Sequence, residues 1–231
     1  MNMLLFNFEM KFLFIFSLLI FFDGLSQMDE YKGNTWSSIL YRHNISDAKT
    51  ITFDAGYRWF DGFVKRRRQD LIRVQYDCKL DSKNNVGLGF AIFESVLKNS
   101  ENFRTEYRPY VQYQWGARNE KEVFNVRFRN EFRYYFAVKE MVNRARLQLS
   151  YEYKIVSSYL VPKVSIEGFV SSQKSPSIEQ RYSIGNTFTF SKMASVYAFY
   201  TLQFQSNINY NGKLIQQNIV GLQLILNTSK Q

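Results

Sequence analysis

Apolar and polar side chains alternate along most of this chain with a period of two. The clearest stretch is 125–136. Val126, Phe128, Asn130, Phe132, Tyr134 and Phe136 share one face; Asn125, Arg127, Arg129, Glu131, Arg133 and Tyr135 share the other. Successive side chains of a strand point to opposite sides of a sheet, so this is a strand with one apolar and one densely charged face. A soluble sandwich rarely lines a strand face with three arginines and a glutamate. A membrane barrel does so readily, with lipid outside and a polar lumen inside.

The same alternation recurs at 36–44, 50–60, 69–80, 86–94, 103–115, 143–155, 160–170, 178–190, 194–204 and 214–226. Polar turns such as Ser46-Asp47-Ala48 and Asp81-Ser82-Lys83-Asn84-Asn85 separate the segments. Each segment alone is a weak signal; their repetition predicts an all-β protein, an antiparallel up-and-down transmembrane β-barrel. Eleven segments can be counted. Bacterial single-chain barrels have even strand numbers, so ten or twelve strands are expected. Pro109 removes a ladder donor and predicts an irregularity in its strand. With the C-terminus on the periplasmic side, the turns near Asp47, Ser82, Arg118 and Lys192 are periplasmic. The loops near Lys65, Lys98, Ser175 and Asn209 then face outward, which leaves the first strand starting on the wrong side.

The N-terminus changes the picture from soluble to exported. Lys11, the apolar run Phe12–Phe22 and Gly24-Leu25-Ser26 have the order of a secretory signal cleaved after Ser26. The expected organisation is a signal peptide at 1–26 and one barrel domain at 27–231, in the outer membrane of a Gram-negative bacterium. Later segments hold no apolar run long enough to span as a helix. Aromatics make up 18% of the chain, which suits strands and interfacial girdles; Trp36, Trp59 and Trp115 near strand ends are read as such anchors. The net charge of +10 is spread over strand positions, so nucleic acid is not an expected partner. Lys65-Arg66-Arg67-Arg68 is the single basic block and reads as a loop. Cys78 stands alone and excludes an intramolecular disulfide; it shares an apolar row with Ile72, Val74 and Tyr76.

Candidate chemistry concentrates on the inward rows. Arg104, Glu106, Arg108, Arg127, Arg129, Glu131, Arg133, Arg144, Arg146 and Glu152 form the expected charge network of the lumen. Arg58, Arg73, Lys154, Lys163, Glu167 and Arg181 also point inward. Arginine's fork suits paired carboxylates, so the network either fills a narrow interior or lines a cationic pore or anion site. Gly87, Gly89 and Ala91 are small inward residues that leave room for long arginines from neighbouring strands. Catalysis finds little support: His43 is the one histidine, with Ser37, Ser38 and Ser46 nearby in sequence but not in a spacing that makes a nucleophile–base pair. No metal-ligand cluster and no phosphate-binding glycine loop is present in the sequence, and no cofactor is expected. Two further readings are an outer-membrane lipid hydrolase and a soluble periplasmic barrel enclosing a lipophilic ligand.

Several residues carry a family likeness. They are Trp36, Arg58, Gly87-Leu88-Gly89-Phe90, Glu106-Tyr107-Arg108 with Gln112, Arg127-Phe128-Arg129-Asn130-Glu131-Phe132-Arg133, Arg144-Ala145-Arg146 and Gln180-Arg181. In these the chain resembles domain-of-unknown-function family 2490, small outer-membrane barrels, over about residues 36–226. The resemblance implies an outer-membrane barrel, with membrane lipids and the barrel-assembly machinery as partners, and transfers no catalytic residue. The chain departs from the usual assembly signal by ending without a terminal aromatic residue.

Overall fold

Each alternating segment folds as a strand. The computed structural model describes residues 31–228 except 61–65, 97–102, 155–159, 173–176 and 208–213. The segment expected to be a signal peptide therefore lies outside the described residues. The strands are β1 (Tyr31–Asn44), β2 (Lys49–Phe60), β3 (Arg66–Lys79), β4 (Asn84–Val96), β5 (Phe103–Arg118) and β6 (Glu122–Tyr135). They continue as β7 (Glu140–Tyr153), β8 (Leu160–Ser172), β9 (Ser177–Thr189), β10 (Ala194–Asn207) and β11 (Leu214–Asn227). Each pairs antiparallel with its chain neighbour, and β1 closes on β11 to complete a barrel.

The closure corrects the expected ten or twelve strands. Among the described residues there are eleven, and β1 and β11 run parallel, from Tyr31 beside Gln216 to Arg42 beside Asn227. Every antiparallel step reverses direction, so an odd count leaves the first and last strands pointing the same way. The even-number expectation presumed antiparallel pairing at the seam as well. A parallel seam has evenly spaced, slanted bonds and is slightly less stable per residue. β1 and β11 therefore start at the same rim, the one away from the 45–48 turn, so the first strand does begin on the side opposite the C-terminus. Following the registers once round returns to β1 about 14 residues from the start, a stagger that tilts the strands by roughly 35–45°.

Side chains close the tight turns and thereby set register. At 80–83, Asp81 Oδ1 accepts from the backbone N–H groups of Lys83 and Asn84, both at 2.7 Å, and Oδ2 from Asn84 Nδ2 at 2.7 Å. These bonds, led by the Asn84 side chain, hold the exposed Asp81 carboxyl below the usual carboxylate range. Asn119 accepts likewise from the N–H groups of Lys121 and Glu122, and Ser191 from those of Met193 and Ala194. These turns and the one at 45–48 share one rim, called here the short-turn rim; at the far rim, Lys139 in the 136–139 turn has φ of 52°.

Two local expectations are refined. At Pro109 the β5–β6 ladder keeps its register but skips Arg108 and Pro109 opposite Arg133 and Phe132, because proline has no N–H to give. A register shift occurs elsewhere, between Arg58 and Trp59 where β2 meets β3. There Arg66 and Arg67 pair with Phe60 and Trp59, so the basic block is partly strand rather than wholly loop.

The outer surface is apolar: Ile39, Phe53, Ile72, Leu88, Val111, Phe128, Leu147, Ile184 and Leu222 are all exposed. That is the reverse of what an interior for a lipophilic ligand requires. Trp59 lies against Tyr57 and Trp115 against Phe124 on this face, with ring centroids 6.0 and 6.1 Å apart. Trp36 corrects the girdle reading: it points inward, with the Arg58 guanidinium 4.1 Å over its ring and Phe199 6.4 Å away.

The seam is testable by cross-linking. In a protein with Cys78 replaced by serine, Ile39→Cys and Leu224→Cys are neighbours across it. A short bis-thiol reagent is expected to join them and change the mobility of the heat-denatured chain. Ile39→Cys with Val220→Cys should stay unjoined; joining of that offset pair, or of neither, would refute the parallel closure.

Candidate functional site: an arginine–glutamate wall in the lumen

Strands β5 to β9 bring alternating charged rows to one side of the lumen. Register places Glu131 opposite Arg144 and Arg129 opposite Arg146 across β6–β7, and Glu167 opposite Arg181 across β8–β9. Like charges facing each other repel. The two guanidinium groups accordingly diverge. Arg146 gives NH1 to Glu131 Oε1 at 2.5 Å and NH2 to Glu167 Oε1 at 2.7 Å. Arg129 turns the other way, giving Nε and NH2 to Gln112 Oε1 at 3.1 and 2.6 Å and NH2 to Gln75 Oε1 at 3.2 Å.

Four carboxylates organise the wall. Glu131 also accepts Arg144 at 2.8 and 2.5 Å and lies 3.5 Å from Arg108. Glu106 takes Arg133 on both oxygens, at 2.6 and 3.0 Å, and Arg108 at 2.8 Å. Glu167 takes Arg127 at 3.2 Å beside Arg146, and Arg181 reaches both Glu167 (3.9 Å) and Glu179 (2.5 Å). Seven arginines (108, 127, 129, 133, 144, 146 and 181) are thus joined through four glutamates (106, 131, 167 and 179). Glu131 is only 1% exposed and Arg129 2%. Charges this deep are tolerable because each is paired and hydrogen-bonded.

Inward aromatics support the guanidinium planes. Arg129 lies 4.1 Å from the Tyr110 ring centre, Arg108 3.8 Å from Phe93, and Arg146 and Arg181 4.7 and 4.5 Å from Phe169. Gly89 makes the first of these contacts possible: a Cβ there would sit 2.1 Å from Tyr110 Cζ. The two glycines of β4 therefore make room not for arginines directly but for Tyr110 at Gly89 and for Asp77 and Gln112 at Gly87, and Arg129 stacks on that tyrosine.

The wall does not fill the barrel. A cavity of about 920 Å³ runs beside it, lined at the short-turn rim by Asn44, Thr50, Lys79 and Arg118 and toward the far rim by Gln69, Arg133 and Gln205. Its opposite side is mostly neutral and polar, with Ser38, Thr52, Thr201, Gln203 and Gln223. Asp54 and Arg73 form a separate pair there.

Eight of the ten expected network residues belong to the wall. Arg104 does not: it stacks 3.7 Å over Tyr135, near the far rim. Glu152 pairs with Lys163 at 2.7 Å, apart from the wall, with both side chains 28% exposed. Glu167 and Glu179 were missed as organising carboxylates. Their alternation on β8 and β9 marks them as inward, but only register shows which arginines they reach. His43 is exposed and its Nδ1 lies 3.1 Å from Thr228 Oγ1. Ser38 accepts from Gln223 inside the barrel and Ser46 from the Ala48 N–H, so the structure does not bring these serines to the histidine. Among the described residues no group of three or more His, Cys, Asp or Glu could hold a metal ion.

A family model described as "Protein of unknown function (DUF2490)" matches residues 33–213, and the chain belongs to that family. No curated protein matches it in sequence. Among solved structures it is similar to the outer-membrane expressed OmpT of Vibrio cholerae, at 13% identity and a TM-score of 0.44, over 71% of this chain and 53% of that one. The chain thus spans about half the length of that protein. It is also similar to the NanC porin, at 15% identity and a TM-score of 0.48, over 74% of this chain and 85% of that one. A third similar structure is an anion-selective porin from Comamonas acidovorans, at 9% identity and a TM-score of 0.36, over 75% of this chain and 55% of that one.

Replacing Glu131 by glutamine leaves four guanidinium groups, of Arg108, Arg129, Arg144 and Arg146, around a neutral side chain. This is expected to lower stability by about 3–5 kcal/mol, as for a buried pair broken on one side. Glu152→Gln, in the half-open pair with Lys163, should cost about 0–1 kcal/mol. Urea unfolding in lipid vesicles compares the two; equal losses would contradict a buried carboxylate hub.

Proposed function

We propose that this member of the DUF2490 family is an outer-membrane pore for small anions, without catalytic chemistry of its own. The observation that carries the reading is a lumen with a continuous cavity on one side and an arginine-rich wall on the other. Seven arginines against four glutamates leave the wall positive even when every carboxylate is ionised. Such a wall favours anions in a narrow, low-dielectric passage and repels cations. The glutamates give the wall rigidity, and the neutral far side leaves the path open. Strands of 12–16 residues exceed the roughly 9–11 that a tilted strand needs to cross a bilayer. The apolar outer surface suits lipid as its surroundings, and insertion by the barrel-assembly machinery belongs to the same reading. The short-turn rim then faces the periplasm.

Reversal potentials in planar bilayers across a potassium chloride gradient test this. The wild-type protein is expected to conduct with chloride preferred over potassium. Arg127→Ala with Arg129→Ala should reduce that preference several-fold. Absence of conductance in both forms, or a preference for potassium, would remove the pore reading. Extraction from membranes without detergent would remove the membrane itself from the account.

A further inference from the structure

The cations at the short-turn rim differ from those of the wall. Arg42 on β1, Lys79 at the end of β3 and Arg118 at the end of β5 all line the main cavity. Lys79 and Arg118 also line an adjoining pocket of about 310 Å³ beside the 80–83 turn. Among the described residues, none of the three has a carboxylate ion-pair partner. The nearby acids are already engaged. Asp77 accepts the side-chain amides of Gln75 at 2.6 Å and Gln112 at 3.0 Å, and Glu152 takes Lys163. Deeper in the same cavity, Arg127 holds Glu167 through one nitrogen at 3.2 Å and keeps 26% of its side chain exposed.

All three are exposed to solvent and stand on alternate strands of one rim, so they are open to a shared anionic solute. Their strands lie two apart, so adjacent Cα rows are roughly 10 Å from one another, within reach of arginine and lysine side chains extending to a shared ligand. Thr52 and Gln114 add neutral polar groups to the lining of the same cavity. A monovalent anion neutralises only one of the three charges. A compact dianion answers two of them and offers the paired oxygens that a guanidinium fork binds best.

We propose that this vestibule is a binding site for a compact oxygen dianion, of phosphate or dicarboxylate type, held by Arg42, Lys79 and Arg118 with Arg127 at its inner end. The inference rests on the anion-pore reading of the lumen and gives that pore a preferred solute. It also accounts for a charge gradient. The rim cations are free to gather the solute, whereas those of the wall are tied to glutamates and only guide its passage.

Binding is measurable without current. Titration calorimetry on detergent-folded protein, with inorganic phosphate, succinate and acetate as separate ligands, is the primary test. Phosphate or succinate is expected to bind the wild-type protein, and to bind R42Q/K79Q/R118Q at least about tenfold more weakly. Which of the two binds tells the phosphate source from the dicarboxylate one. Unaltered circular dichroism and heat-modifiable mobility establish that the variant is folded; should the triple variant fail there, R118Q alone takes its place with a smaller loss. No binding of either dianion, acetate binding as tightly, or equal binding by wild type and variant would overturn the site. Bilayer currents separate the two readings: chloride current without dianion binding sinks the site alone, and dianion binding without current sinks the pore alone.

Discussion

Everything inside this barrel depends on keeping buried arginines paired. The outer face is apolar over most of its height, so the strand period sends most charged strand residues inward. There the charges meet in a space too narrow to hydrate each one fully. An unpaired guanidinium at that depth costs several kcal/mol. Glu131, at 1% exposure and in reach of Arg108, Arg144 and Arg146, carries most of this compensation. Aromatic rings take over part of the solvation lost on burial, since Tyr110, Phe93 and Phe169 each lie under a guanidinium. The wall is therefore a mixed ionic and π-stacked layer, and the residues that look most out of place in a core are the ones that give it shape.

The odd strand number follows from chain topology and has a local consequence. A parallel seam between β1 and β11 must be specified without a hairpin to set its register. Side chains supply that information. Asn34 donates to Gln217 at 3.1 Å and Gln223 to Ser38 at 3.0 Å, both across the seam inside the barrel. His43 and Thr228 make a further cross-seam contact at its short-turn end. A shift by one residue would turn these polar groups onto the apolar outer face and the leucines of β11 toward the lumen. The seam is thus held by the same inside–outside contrast that defines the other strands.

Much of this was legible in the sequence because a period of two leaves few choices. The strands, the inward rows and the apolar exterior all follow from alternation at positions such as 126–133. Trp36 shows the limit. It sits at the start of its segment and looks like an interfacial anchor, yet parity with Ser38 and Leu40 puts it in the lumen between Arg58 and Arg181. The hubs at Glu167 and Glu179 were hidden for another reason. Alternation gives the face of a residue but not its height, and height depends on register and stagger across several strands. Arg104 and Glu152 have the right face and the wrong height. The strand number was misjudged through a general rule about parity, although the segments themselves numbered eleven.

Height also explains the choice between arginine and lysine. In the wall every organising cation is arginine; the lysines lining the cavity, Lys79 and Lys163, lie toward the short-turn rim. Arg146 shows what the fork provides. Its two terminal nitrogens reach different carboxylates, Glu131 and Glu167, which belong to strands β6 and β8 on either side of β7. A planar, rigid group fixes the distance between the two acids, and so the spacing of the rows that hang from them. An ammonium is a point charge on a flexible stem; it could neutralise one carboxylate but could not set that spacing. Near the short-turn rim, where water completes the solvation, geometry matters less and both cations occur, Lys79 and Lys163 beside Arg42 and Arg118. The distribution of the two cations along the axis thus marks where the lumen must be rigid and where it is open to solvent.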